Sequence, residues 1–276
     1  MTDTRDHDLK LATRLAASGL AGLTAIAMAV AAQADAPDGE HHVDMAGSVY
    51  QIAQNSEAGD MAEASEVDAD DAAFLTLLGL VEGHLRAGIE LYRQGASDMA
   101  KTHMKHPGDE LYVELEPALA ARSLDGFAEP LERLAVTVEG DRPVADAEAA
   151  FAAVLSGINR TREAADAALG AKLGSVTSLV RIAAEEYEIA VKQGRVADPH
   201  EYQDAWGFVQ AAKALMGGLS QTDRQRLRQG FDDIAAELDG LDVAWPSIVP
   251  PESVTTDAAL LWASADRIER AALGAE

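Results

Sequence analysis

The chain has no cysteine among its 276 residues. That excludes thiolate metal ligands, iron–sulfur clusters and thiol catalysis. Aromatic side chains make up only 5%, too few for a broad surface that stacks sugars or bases. Positive charge is scarce as well: 22 Lys and Arg stand against 47 Asp and Glu, a net charge of −25. An excess of this size repels phosphate backbones and anionic lipid and attracts cations, which argues against a nucleic-acid partner. There is no phosphate loop, no nucleophile elbow, no His-Glu-x-x-His and no Cys-x-x-Cys-His. With none of these motifs, the expectation is a binding protein, not an enzyme.

The longest uncharged run is Leu15–Ala32, rich in Ala, Leu, Gly, Ile, Met and Val and preceded by Lys10 and Arg14. It ends in Ala32-Gln33-Ala34 before Asp35. A basic flank, an apolar core and a small-x-small site describe a secretory signal peptide over residues 1–34. The alternative is an uncleaved anchor over residues 11–33, since the run approaches the roughly 20 residues needed to cross a bilayer. Either way the expected location is periplasmic, where a domain of about 240 residues can rely on its core and needs no disulfide.

No Lys or Arg occurs from Asp35 through Leu85, while acids accumulate and apolar residues stay sparse up to Phe74. Residues 35–70 therefore read as a disordered acidic linker, with His41, His42 and Met45 inside it. From Asp71 the periodicity becomes helical, with Phe74, Leu77, Leu78, Val81, Leu85, Ile89 and Tyr92 at steps of three and four. Short helices are expected over Ala96–Lys105, from Asp109 with Pro117 kinking it, and from Pro130 to Gly140. A long helix from Val144 to Leu169, closed by Gly170, should follow, then a hairpin of Ser175–Gln193 and His200–Met216. The last two helices are predicted over Gln221–Leu238 and Thr256–Leu273. No segment alternates long enough to read as a strand. The fold expected is an all-α multi-helix bundle of helical hairpins over residues 71–276, divisible into sub-bundles 71–140 and 141–276.

One segment gathers side chains that bind transition metals. His84 lies in line with Leu77, Leu80 and Val81, so it should face the core, and Gly83 and Gly88 let another backbone approach. His103 and His106 are three apart, which places both rings on one helical face, with Met104 between them. Glu110 begins the next helix, and helical-bundle metal sites commonly mix carboxylates with histidines. His84, His103, Met104, His106 and Glu110 are the expected ligands, against the plain alternative of hydrogen-bonded core and turn residues. Imidazoles argue for iron, zinc or copper over a hard cation; Met104 leans to copper, the carboxylates and tyrosines to iron.

A second constellation is Glu185-Glu186-Tyr187-Glu188 with His200-Glu201-Tyr202-Gln203-Asp204 across the hairpin. Glu188 shares the face of Glu185, whereas Glu186 and Tyr187 are expected to point elsewhere. Glu185 and Glu188 thus form a weaker second site, or an ordinary solvated face with Arg181 pairing to Glu185.

The run Leu179–Val196, with Glu185-Glu186-Tyr187 and the Gly194 turn, followed by Glu201-Tyr202-Gln203-Asp204, resembles a known helical hairpin. It is similar, over residues 175–216, to the extracytoplasmic helical region associated with bacterial high-affinity iron permeases. The resemblance implies iron and an envelope transporter as partner. The chain lacks the permease's membrane helices and its Arg-Glu-x-x-Glu motif, so it is not itself the channel. The helix at Gly83-His84 has a looser likeness to imelysin-type periplasmic proteins, but Gly83-His84-Leu85-Arg86-Ala87 lacks their Gly-x-His-x-x-Glu spacing and its glutamate. The function expected is an exported helical protein that binds iron or copper for uptake, buffering or delivery. Its rival is a helical scaffold or interaction module that binds no metal and docks an envelope partner or a second copy of itself.

Overall fold

The computed structural model describes residues 66–274, without the side chains of 66–70, 106, 109 and 110. The expected signal segment and most of the expected linker lie outside the described residues, as do the side chains of His106 and Glu110. The described chain is all-α, with ten helices and one two-stranded turn. The helices are α1 (Glu66–Arg93), α2 (Ser97–His106), α3 (Tyr112–Ala121), α4 (Ala128–Glu139) and α5 (Val144–Ala165). There follow α6 (Leu169–Ala190), α7 (Pro199–Gly217), α8 (Gln221–Leu227), α9 (Gln229–Gly240) and α10 (Ala259–Ala272).

The apolar stripe of α1 is buried along its length, from Phe74 through Leu78, Val81 and Leu85 to Ile89. Helices α6 and α7 form an antiparallel hairpin, and α1 packs against both. Helix α10 lies on α6, α9 on α10 and α7, and α2 on α1, while α4 and α5 pair and α5 returns to α1. The two stretches expected as sub-bundles thus share one continuous core. A buried ion pair adds to the apolar packing: Glu82 of α1 meets Arg162 of α5 at 2.5 Å and Arg86 of its own helix at 2.6 Å.

Four boundaries differ from the periodicity. The expected helix Val144–Leu169 ends at Ala165, because Asp166 turns left-handed at φ 46°, and α6 begins at Leu169 with Gly170 inside it. Aspartate tolerates that conformation better than most side chains. The expected helix Gln221–Leu238 is split at Arg228 (φ 52°) into α8 and α9. The helix expected to end at Lys105 runs on to His106, and Pro107 opens a π-helical turn, Pro107–Leu111, that carries α2 into α3. A wide turn of this kind accommodates a proline that cannot donate its own helical hydrogen bond. At the α6–α7 hairpin, Val191–Lys192 (β1) pairs antiparallel with Arg195–Val196 (β2). Gln193 and Gly194 both have positive φ, as the tight turn between two strands requires.

The crossing of α1 and α7 depends on glycine. A Cβ on Gly207 would stand 2.2 Å from the Gly83 carbonyl oxygen, and one on Gly83 would strike Phe208. Farther along, Gly88 leaves the space into which α2 sets His103 and Met104. Both contacts flank His84, so three helices come together around it.

Candidate metal centre

His84 on α1, His103 on α2 and Asp204 on α7 are all buried, and their ligand atoms lie within 4.8 Å of one another. His84 Nδ1 is 2.6 Å and His103 Nδ1 3.0 Å from the same oxygen, Asp204 Oδ1. His200, one turn before Asp204 on α7, places its Nε2 3.2 Å from the other oxygen, Oδ2. The His103 and His200 rings stack with centroids 4.4 Å apart, and the edge of one ring meets the face of the other where His84 contacts Phe208.

Local sequence explains how α7 brings its polar face here. Asp198 caps the helix by accepting from the backbone N–H groups of His200 and Glu201, and Pro199 occupies the first turn. That start fixes the phase of the helix, and Asp204 then falls on the stripe of Phe208, Ala211 and Leu215, all buried. An aspartate on such a stripe must find charge or hydrogen bonds inside the protein.

Gln203 orients the imidazole of His103. His103 Nε2 lies 2.7 Å from Gln203 Oε1. The Gln203 amide nitrogen donates to the Ile248 carbonyl at 3.4 Å and to Met99 Sδ at 3.2 Å, which turns its oxygen toward the histidine. With Nε2–H held in this way, Nδ1 is the ring atom presented to Asp204. Outer partners of this kind set the tautomer and angle of metal-binding histidines.

Burial alone would push the Asp204 carboxyl up; His84 and His103 outweigh it and hold the group well below the usual carboxylate range. Burial alone would pull His103 down, but the charge and hydrogen bond of Asp204 raise it. For His200 burial prevails over Asp204, and its pKa is lowered. Without a metal, then, the raised imidazole of His103 helps to balance the buried aspartate. His84 Nδ1, His103 Nδ1 and Asp204 Oδ1 are all buried, with both nitrogens set against the one oxygen. Nitrogen and oxygen donors that converge on a common buried region fit a transition-metal ion.

Beside this cluster Glu186 of α6 faces Glu201 of α7, and the two carboxyl groups share a hydrogen bond. Burial, and then the negative charge of Glu201, push Glu186 up to about 10.

The expected ligands are distributed as follows. His84 and His103 meet at the site. Met104 is buried beside them but fills the cleft over Gly88, and the methionine sulfur in the hydrogen-bond network belongs to Met99. The side chains of His106 and Glu110 lie outside the described residues. Glu185 is half-buried, and Glu188 is exposed and accepts from Trp262 Nε1 at 3.2 Å. The structure does not bring these two acids to the histidines. It turns Glu186 inward instead, on the stripe of Ile182, Ala183 and Ala190. The tyrosines considered for iron are also engaged elsewhere: Tyr187 and Tyr202 donate to the carbonyls of Ala244 and Ser247.

Residues 162–272 match the family model of the iron permease-associated 4-helix bundle domain. The match runs from the last turn of α5 to the end of α10, bears out the resemblance read over 175–216, and links the chain to iron-permease association. No curated protein matches the chain, and no solved structure does. The matched segment contributes Glu186, His200, Glu201, Gln203 and Asp204; His84 and His103 come from helices that precede it.

Proposed function

We propose that the protein binds an iron ion at His84, His103 and Asp204, outside the cytoplasmic membrane, and buffers or delivers it to an iron permease. The observation that carries this reading is the convergence of two buried imidazole nitrogens on one oxygen of a buried carboxylate, from three separate helices. A carboxylate among imidazoles suits iron, and the soft donor that favoured copper, Met104, packs against Gly88. The match to an iron permease-associated domain supports the same metal and a transporter partner. Binding and release are the whole activity in this reading, with no catalytic turnover.

The function is tested by preparing the full-length protein metal-free and titrating it with Fe²⁺ under anaerobic conditions and with Zn²⁺ and Cu²⁺. Calorimetry and elemental analysis after gel filtration report the binding. The reading expects tight Fe²⁺ binding that falls at least 100-fold in a His84→Ala/His103→Ala variant. Equal binding by that variant would show that the metal sits elsewhere. No binding by the wild type would favour a helical scaffold.

A further inference from the structure

Glu186 is only 2% exposed, and its Oε2 is buried without a hydrogen-bond partner. No basic side chain among the described residues forms an ion pair with Glu186 or Glu201. Instead the two carboxyl groups hydrogen-bond to each other across the α6–α7 hairpin, close enough to Asp204 that its charge acts on both. Two carboxyl groups side by side in a buried place lack the positive charge that would let both ionise. Such a pair costs stability and does no packing that two apolar residues could not do better. Groups kept in so unfavourable a state mark functional sites, and the missing component here is positive charge.

The geometry supplies a place for it. Glu201 and Asp204 are three residues apart on α7 and share a face, and Glu186 lies across the hairpin on α6 against Glu201. Asp204 directs Oδ1 to His84 and His103 and Oδ2 toward the half-buried His200, so its carboxylate already serves more than one partner at once.

We propose that Glu186 and Glu201 form a second cation position beside the histidine site, with Asp204 shared between the two ions. This rests on the reading of His84, His103 and Asp204 as a metal site. The second position is oxygen-rich and takes a divalent ion of the Fe²⁺ or Mn²⁺ class, whose charge would neutralise the two buried carboxyl groups. Carboxylates and histidines projecting inward from several helices of one bundle hold paired ions in this way.

The experiment counts ions on the metal-free full-length protein at physiological salt with excess Mg²⁺, which occupies the acidic surface. Fe²⁺ is added anaerobically and Mn²⁺ in a parallel series. The expected result is two ions per chain for the wild type. Glu186→Gln, which keeps the shape and a hydrogen bond to Glu201, should hold one, with the affinity of the remaining ion within about threefold of the wild-type value. The Mn²⁺ resonance of the two-ion form should depart from the sum of two isolated ions, since a shared carboxylate couples them. A wild type that binds one ion, with count and affinity unchanged in both Glu186→Gln and Glu201→Gln, overturns the second position and leaves the histidine site standing. A single ion lost in Glu186→Gln but retained in His84→Ala/His103→Ala overturns both the histidine site and the paired arrangement.

Discussion

Gly83 of α1 and Gly207 of α7 cross backbone to backbone, so closely that a Cβ on Gly207 would stand 2.2 Å from the Gly83 carbonyl oxygen. His84 and Asp204, placed just beside this crossing on either helix, owe their 2.6 Å separation to it. Gly207→Ala must push the helices apart, because the obstructing atom is backbone and cannot rotate away. The expected cost is about 1–3 kcal/mol of stability, as for other overpacked cores. Metal affinity should fall with it, even though no ligand has changed. Calorimetry and thermal unfolding of the variant measure the two effects. A fully stable variant with wild-type affinity would remove the crossing from any role in building the site.

Asp204→Asn keeps the shape of the side chain and removes its charge. In the wild type the raised pKa of His103 contributes stability that is present below its unfolded value of 6.5 and lost as pH rises through the folded value. Without the aspartate, burial is opposed only by the Gln203 hydrogen bond and the charge of Glu201, and the His103 pKa should fall. NMR titration of the His103 ring reads this directly in the metal-free protein. Fe²⁺ affinity should drop by more than tenfold in the same variant. An unmoved His103 titration would show that some other charge controls the ring.

Half of this site was legible in the sequence, and the limit is physical. His84 could be placed on the core face because it falls in register with Leu77 and Val81 in a long amphipathic helix. The meeting of His103 with His200, Gln203 and Asp204 could not, because it depends on how α2 and α7 pack and those residues are about a hundred positions apart. Asp204 did carry a local signal, an acid on the stripe of Phe208, Ala211 and Leu215. Glu186 carried the same signal on the stripe of Ile182 and Ala190. In an acidic helix full of alternatives, the periodicity favours Glu185 and Glu188 because they share a face, and points Glu186 elsewhere; only the position of the α7 partner singles Glu186 out. The helix breaks at Asp166 and Arg228 were hidden for another reason: each is one non-glycine residue with positive φ, held by its surroundings.

Gln203 is expected to act through His103 without touching the metal. Gln203→Leu removes the acceptor that holds Nε2–H and leaves a buried donor unpaired, at a cost of about 1–3 kcal/mol. It also frees the ring to turn Nδ1 away, so metal affinity should fall between about 10- and 100-fold, as for other outer partners of ligating histidines. Gln203→Glu keeps an acceptor at the same reach and should recover most of the affinity. If the leucine and glutamate variants bind metal equally, the 2.7 Å contact does not orient the ring.

The last prediction concerns the metal-free protein in the presence of chelator. Glu186 has a folded pKa pushed up to about 10 by burial and by Glu201, against an ordinary value of 4.5. Between those values the unfolded chain releases a proton that the folded chain retains, so stability falls as pH rises from 4.5 toward 10. Glu186→Gln cannot release that proton and lacks the loss. At pH 8 the variant should therefore be the more stable by about 1–3 kcal/mol, allowing for the coupling to Glu201. The difference should shrink toward zero at about pH 4.5, where both states of the wild type hold the proton. Urea unfolding at the two pH values measures it. An equal difference at both would mean that the glutamine packs better, and that the buried carboxyl carries no proton penalty for a cation to relieve.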